Sequence, residues 1–437
     1  MGLGVLGRGI GVAKFLAEAG ANLLITDLKK AEDLESALVL LKDFSNIKYV
    51  LGEHRLEDFV NVDLVIRAAN VPLGSPYLQE AKNNQIPVKM DASLFCKLAP
   101  PGVKIIGITG TRGKSTVTHL LYEIIKLANT KTDHRVFLGG NVRGLATLPL
   151  LAEVKAGDVV VLELDSWQLQ GFGEEQISPE VAVFTTFMPD HLNYYEGDMG
   201  RYLADKANIF LYQLVDDKLV VGDQVVDKIK NIYGQQIKTE IKVAGVDDAK
   251  DFKIKLIGSH NRYNVGIAIE TAKLLGVPLE IIKEAVENFS SLPGRLEFVN
   301  TKNGVRYYND TNATTPDAVI AALQSFPKQT EKIILIGGGA DKELDYDGYV
   351  REVIKRVKHL ILFPGLATEK IKKLLPADFN FTLALSMSEA VFVASQKSVA
   401  GDIVLLSPGA SSFGLPPSGF KNEYDRGDQF KEAVIKL

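Results

Sequence analysis

Short apolar runs of four to six residues recur along the chain. Each is followed by a turn rich in glycine or hydroxyl residues and then by apolar residues at helical spacing. That alternation predicts parallel sheets covered by helices. The clearest unit is Lys104-Ile-Ile-Gly-Ile-Thr-Gly-Thr-Arg-Gly-Lys-Ser-Thr116, which reads as a buried strand, a glycine turn and a helix opening at Lys114. Other strands are read at Asn22–Asp27, Asp63–Ile66, Asp158–Glu163 and Val181–Thr185, then at Gly304–Tyr308, Lys332–Ile336, His359–Phe363 and Asp402–Leu406. Helical spacing covers Val12–Ala19, Tyr202–Phe210, Val265–Leu275 and Tyr349–Lys358, and Thr315-Pro316 is a cap followed by a proline at the first helical position. Leu98-Ala-Pro-Pro-Gly102 is a stiff link, and a further strand series begins after Leu292-Pro-Gly-Arg295. The expected organisation is therefore α/β in three parts: a Rossmann-like unit over 1–99, a central P-loop ATPase-type parallel sheet over 100–294, and a second Rossmann-like unit over 295–437.

The N-terminus changes this picture in one respect. Gly2-Leu-Gly4-Val-Leu-Gly7 matches G-x-G-x-x-G, but the chain starts on the turn itself, so the strand that ordinarily precedes it is expected to be missing. Asp27 closes the next strand about twenty residues on, where an acid usually meets a ribose hydroxyl. A tight turn with no ligand remains an alternative for this weak pattern.

Composition adds exclusions. The 437 residues are 46% hydrophobic and 24% charged, ordinary for a soluble enzyme. A net charge of −4 gives no basic face for nucleic acid. The single cysteine, Cys96, excludes a disulfide framework and a thiolate metal cluster within one chain. No signal peptide and no apolar run long enough to span a bilayer is read, so a cytoplasmic protein without a membrane partner, and a monomer, is expected.

The chemistry centres on the middle part. Gly107, Gly110 and Gly113 permit a tight turn whose N–H groups converge on one anion, and the helix N-terminus adds positive potential there. Lys114 reaches the outer phosphates of a nucleotide, and the hydroxyl of Ser115 or Thr116 suits Mg2+. Ile108 stands where the first glycine of the strict Walker spacing would be. Glu163, Asp165, Ser166 and Gln168 follow one buried strand, and Asp190 and His191 follow the next, so all are expected beyond the carboxyl ends of the sheet. Glu163 and His191 are candidate Mg2+ ligands; a solvated strand-end acid and a structural histidine are the alternatives. Lys206 reads as a surface charge. Asn261 and Asn264, one helical turn apart, either hold a base or bridge helix to sheet.

Thr109–Thr116, Gly139-Gly-Asn141, Glu163-Leu-Asp-Ser-Trp-Gln168, Asp190-His191, His260-Asn261 and Leu292–Arg295 together resemble the Mur ligase family, over essentially the whole chain. Leu406–Phe413, with Phe420-Lys-Asn and Arg426-Gly, is most similar to the tail of that family's D-glutamate-adding branch. The resemblance implies that ATP phosphorylates the carboxylate of UDP-N-acetylmuramoyl-L-alanine and that the D-glutamate amine displaces phosphate to form an amide. It implies ATP contacts from Gly110, Thr111, Arg112, Gly113, Lys114, Ser115, Thr116, Asn261, Arg295 and Asp310. It assigns Val5, Leu6, Asp27, Asn70, Asn141 and Gln168 to the UDP substrate, and Thr314, Lys342 and Ser412 to the amino acid. Lys114, Glu163, His191 and Lys206 become the catalytic set, with Ser115, Glu163, His191 and a carbamylated Lys206 around Mg2+.

There are departures. Arg112 replaces an asparagine more usual in this loop, Asn312 stands where lysine is common in the D-glutamate-adding branch, and the tail carries an extra Gly414–Gly419 segment. The last two bear on the amino-acid pocket. The rival readings are a related ligase for another amino acid or for folate, a nicotinamide-dependent oxidoreductase resting on Gly2–Gly7 and Asp27, and a non-catalytic nucleotide-binding regulator. The Rossmann-like start disfavours folate. The Lys114 loop is unexplained by the oxidoreductase, and a metal-ligand set is superfluous for a regulator.

Overall fold

The apolar runs pair in parallel, as runs buried on both faces by helices must. A computed structural model describes residues 1–5, 7–326, 332–412 and 420–437. Leu6 and the Gly414–Gly419 segment lie outside the described residues. The chain forms two compact units. The first holds Met1–Pro189, Met199–Asp251 and Asn264–Val286, and the second holds Asp190–Asp198, Phe252–Tyr263 and Glu287–Leu437.

In the first unit, β1 (Leu23–Asp27) pairs with β2 (Ile47–Leu51), and β3 (Val65–Ile66) pairs with β4 (Val88–Lys89), both in parallel. Among the described residues no strand precedes the glycine turn. Met1 and Gly2 bond to both small sheets instead: the Met1 ammonium donates to Ile66 O at 2.9 Å, Ala68 N–H donates to Met1 O at 3.0 Å, and Gly2 N–H donates to Thr26 O at 2.8 Å. The larger sheet of this unit has β5 (Lys104–Thr109), β6 (Val136–Gly140), β7 (Val159–Glu163), β8 (Val181–Phe184), β9 (Lys218–Gly222) and β10 (Ile241–Ala244). Its order is β10-β9-β8-β5-β7-β6, parallel throughout. From β5 the chain builds β6 and β7 on one side and β8 on the other, so the carboxyl end of β5 is the switch point where open α/β sheets bind ligands. The helix Lys114–Ala128 leaves that point, burying Val117, Leu120, Leu121, Ile124 and Ile125 at helical spacing.

The second unit has its own sheet: β11 (Glu297–Lys302), β12 (Val305–Asn309), β13 (Ile333–Gly338), β14 (Val357–Phe363), β15 (Phe381–Leu383) and β16 (Ile403–Leu406), in the order β11-β12-β16-β13-β14-β15. β11 runs antiparallel to β12. Alternation sends Leu335, Leu360 and Leu405 into one core and Ile334, Ile336, Ile361, Val404 and Leu406 into the other. The edge strands β11 and β15 escape an apolar-run reading because their outer faces are polar or solvated. All four helices read from spacing start earlier than expected, with Arg8–Glu18 in place of Val12–Ala19 and Asp347–Arg356 in place of Tyr349–Lys358. The one read over Tyr202–Phe210 spans Met199–Ala207, and the one read from Val265 begins at Ser259 and runs to Leu274. Among the described residues no helix is long and apolar enough to cross a membrane.

Candidate active site

The turn between β5 and the Lys114 helix is held open by its neighbours. Gly110 (φ 140°) and Gly113 (φ 88°) adopt backbone conformations that side chains disfavour. A Cβ on Gly110 would stand 2.0 Å from Thr185 Oγ1, and one on Gly113 2.2 Å from Asn264 Oδ1. Thr111 N–H donates to Thr186 O at 2.7 Å, Arg112 N–H donates to Thr186 Oγ1 at 2.9 Å, and Thr185 Oγ1 lies 2.5 Å from Arg112 O. The residues just past β8 thus clamp the loop. Thr185, Thr186 and the packing role of Asn264 were not legible in the sequence, since a threonine ending a strand is the ordinary β-branched choice.

Two cations meet over this loop. Lys114 Nζ donates to Gly110 O at 3.0 Å and Thr111 O at 3.2 Å. Lys206 Nζ donates to the same Gly110 O at 3.0 Å and lies 4.8 Å from the Tyr202 ring centre. Lys206 is only 1% exposed, which corrects its reading as a surface charge. The helix Met199–Ala207 turns it inward together with Tyr202 and Leu203. Two ammonium groups converging on one carbonyl concentrate positive charge where a polyphosphate would neutralise it. Glu163 ends β7 buried, and its carbonyl accepts from Asn141 N–H at 2.6 Å. Thr116 is buried in the first turn of the Lys114 helix, and Ser115 precedes it.

The remaining candidates of this unit lie around the first glycine turn and the ends of β6 and β7. Both oxygens of Asp27 accept backbone N–H groups, Oδ2 from Gly4 and Oδ1 from Lys29, each at 2.9 Å, so this buried acid shapes the turn. Val5 is exposed beside it, and Asn70 is exposed in the loop after β3. Arg67, 1% exposed, ties that loop down through Val71 O (3.2 Å) and Gln170 Oε1 (3.3 Å). Gln168 and Asp165 cap the helix Ser166–Glu175 reciprocally, leaving the buried Gln168 Nε2 as a donor with no partner among the described residues. Asn141 Oδ1 accepts from Arg8 Nη2 at 2.7 Å.

In the second unit His191 has φ 54°, and its backbone N–H donates to Asp190 Oδ1 at 2.9 Å. Asn261 is buried and donates from Nδ2 to Ile257 O at 2.8 Å. Asp310 accepts from Ser407 Oγ at 2.9 Å and Leu296 N–H at 3.0 Å. Burial pushes its carboxyl up to about 7, against the opposing pull of Ser407, Leu296 and the Arg295 charge. Lys342 Nζ donates to Thr314 Oγ1 at 3.1 Å, so these two amino-acid candidates are brought together. Ser412, 5% exposed, has a buried hydroxyl without a partner among the described residues and lines a small pocket with Gly338, Gly339, Phe420 and Arg426. Arg426 was not singled out for this pocket from sequence; its buried guanidinium donates to Thr311 O at 2.8 Å and Ala410 O at 3.3 Å. Asn312 Nδ2 donates to Pro293 O at 3.3 Å.

The chain is also similar to known proteins along its length. The Mur ligase middle domain matches residues 108–230, and the Mur ligase glutamate ligase domain matches residues 294–409. A UDP-N-acetylmuramoylalanine–D-glutamate ligase of Roseiflexus sp. (strain RS-1) is 36% identical over 99% of this chain and 97% of its own length. Its namesakes in Borreliella afzelii (36% identical, 100% of this chain and 97% of the relative) and Acetivibrio thermocellus (33%, 99% and 96%) are similar along their whole lengths. Among solved structures the fold is shared with the UDP-N-acetylmuramate-alanine ligase MurC of Thermotoga maritima (TM-score 0.63, 18% identical, 100% of this chain and 98% of that chain). It is shared also with MurF ligase of the same organism in complex with ADP (TM-score 0.61, 16% identical, 94% and 95%). Identity at this level over the whole length, with both family domains in order, leads to one conclusion: the chain belongs to the Mur ligase family.

Proposed function

We propose that this protein is the ATP-dependent ligase that joins D-glutamate to UDP-N-acetylmuramoyl-L-alanine in cytoplasmic peptidoglycan precursor synthesis, acting as a monomer. The observation that carries the reading is the meeting of Lys114 and Lys206 on the Gly110 carbonyl of a strand–turn–helix loop. The work divides over residues 1–99 for the uridine nucleotide, 100–294 for ATP and 295–437 for the amino acid.

The reaction is phosphoryl transfer followed by amide formation. The terminal phosphoryl of ATP passes to the carboxylate of the alanyl substrate, giving an acyl phosphate and ADP. The D-glutamate amine attacks the acyl carbon, loses a proton, and phosphate leaves. Charge neutralisation and positioning are the protein's main contribution to such chemistry. Lys114, Gly110, Thr111, Arg112, Gly113 and the first turn at Ser115 and Thr116 hold the phosphates. Asn261, Arg295 and Asp310 take the rest of the nucleotide.

Ser115 and Glu163 fit Mg2+, which needs few protein ligands and completes its shell with phosphate oxygens and waters. When bound, the ion supplies further positive charge for the transferring phosphoryl. His191 keeps the role of metal ligand. A carbamate on Lys206 would turn that cation into an anion beside Lys114, keeping one N–H for Gly110 O and serving the metal, so the polyphosphate would then be met by Lys114 and the loop amides alone. Val5, Leu6, Asp27, Asn70, Asn141 and Gln168 serve the UDP substrate. Lys342, Thr314 and Ser412 offer the cation and hydroxyl donors that the two carboxylates of D-glutamate require.

The test is release of ADP and phosphate with UDP-N-acetylmuramoyl-L-alanine, Mg2+ and a panel of D- and L-amino acids. Turnover only when every component is present, and best with D-glutamate, is expected. Equal turnover without any amino acid would discard the ligase reading.

A further inference from the structure

The helix Arg8–Glu18 begins with a cation, although helix N-termini favour negative charge. Its cap, Gly7 (φ 96°), makes no side-chain capping bond, and no acid occupies the first turn. Arg8 instead points at the loop after β6, donating from Nη2 to Asn141 Oδ1 at 2.7 Å. The two segments are in close register: a Cβ on Gly7 would lie 3.3 Å from Gly144 Cα, and one on Gly11 2.7 Å from Ala146 Cβ.

A guanidinium carries only donors, so the group it meets must be the carboxamide oxygen. That choice dictates the other half of the side chain. With Oδ1 committed to Arg8, and the backbone N–H committed to Glu163 O, the two hydrogens of Asn141 Nδ2 are left without a protein partner among the described residues. They are donors of fixed direction at the carboxyl end of the sheet. Arg8 also acts electrostatically on the buried Asp91, whose carboxyl accepts from Thr147 N–H at 3.4 Å.

We propose that Arg8 is a positioning residue: it sets the Asn141 carboxamide so that its N–H donors meet an acceptor oxygen of the anionic uridine nucleotide. The inference rests on the assignment of Asn141 to that substrate. Without Arg8 the amide turns over freely and offers the nucleotide either a donor or an acceptor.

The test uses the full chain with UDP-N-acetylmuramoyl-L-alanine as probe. In Arg8→Met, KM for this nucleotide and its calorimetric Kd rise about tenfold, the scale of one charge-assisted hydrogen bond, while kcat and the KM for ATP stay put. In an Asn141→Ala background the same substitution has no further effect, and Arg8→Lys restores part of the affinity. A second measurement needs no variant: in protein labelled with 15N at asparagine, saturating nucleotide without ATP shifts the Asn141 side-chain N–H pair. Unchanged Kd in Arg8→Met, an equal loss in the Asn141→Ala background, or an unshifted N–H pair overturns the inference while wild-type turnover keeps the ligase reading. A wild-type chain that neither binds nor turns over this nucleotide overturns both.

Discussion

At the scale of single residues, the two lysines over Gly110 act differently and should fail differently. Lys114→Ala removes the cation proposed to reach the outer phosphates, and turnover should drop at least about a hundredfold, as when a preorganised charge donor is lost from an active site. Lys206→Ala should also lose turnover, but short carboxylic acids should restore part of it, since a free carboxylate can stand where the carbamate would; unchanged activity in Lys206→Ala would remove that role. Asp310 gives a pH signature. Its folded carboxyl titrates at about 7, above its ordinary value of 3.8, so the folded protein holds a proton that the unfolded chain has released. Stability from this group is fully present below about pH 4 and is lost as pH rises toward 7. Asp310→Asn should flatten the fall over that window in urea titrations; a wild-type slope retained in the variant would exclude Asp310 as its source. The charge of Lys114 and its glycine neighbours was legible because a phosphate cradle needs those residue types in that order. The burial of Lys206 was not, because one lysine in an amphipathic helix looks the same whichever way the helix turns.

At the scale of elements, the phosphate loop depends on the threonines past β8. Thr186→Val removes the acceptor of Arg112 N–H and the hydroxyl that lies 3.1 Å from Arg112 O. It should cost about 0.5–1.5 kcal/mol, the net contribution of a typical hydrogen bond, and raise the KM for ATP. Urea unfolding with a parallel ATP titration measures both, and an unaltered KM would show the loop to be held by the backbone alone. Elements with continuous apolar cores, such as β5, β7, β8, β13 and β14, could be read directly, and the Lys114 helix starts at the residue expected because Gly113 supplies the left-handed cap. Ser259 was missed as a helix start because Ser, His and Asn are weak helix formers and resemble a loop. The pairing of β8 with both β5 and β9 gives no signal in any one segment.

At the scale of the whole molecule, the reaction is a coupling of three substrates, and its discriminating property is mutual dependence. Amino-acid choice is the sharpest point, because Asn312 spends its amide on Pro293 O while Lys342 and Thr314 lie together. Lys342→Met should raise the KM for D-glutamate at least about tenfold with the KM for ATP unchanged, following loss of a charged contact; a matched rise for both would mean general damage. The alternation of buried runs and helices and the phosphate-loop chemistry were determined by the sequence through local spacing and residue type, whereas the class of reaction came from the resemblance of its motifs to the Mur ligase family. Tertiary structure alone decided that Lys206 faces the loop, that Thr185, Thr186 and Asn264 clamp it, and that Arg8 bonds to Asn141. Those contacts join residues far apart in the chain, where the free energy of burial and pairing, which no local pattern encodes, selects the partner.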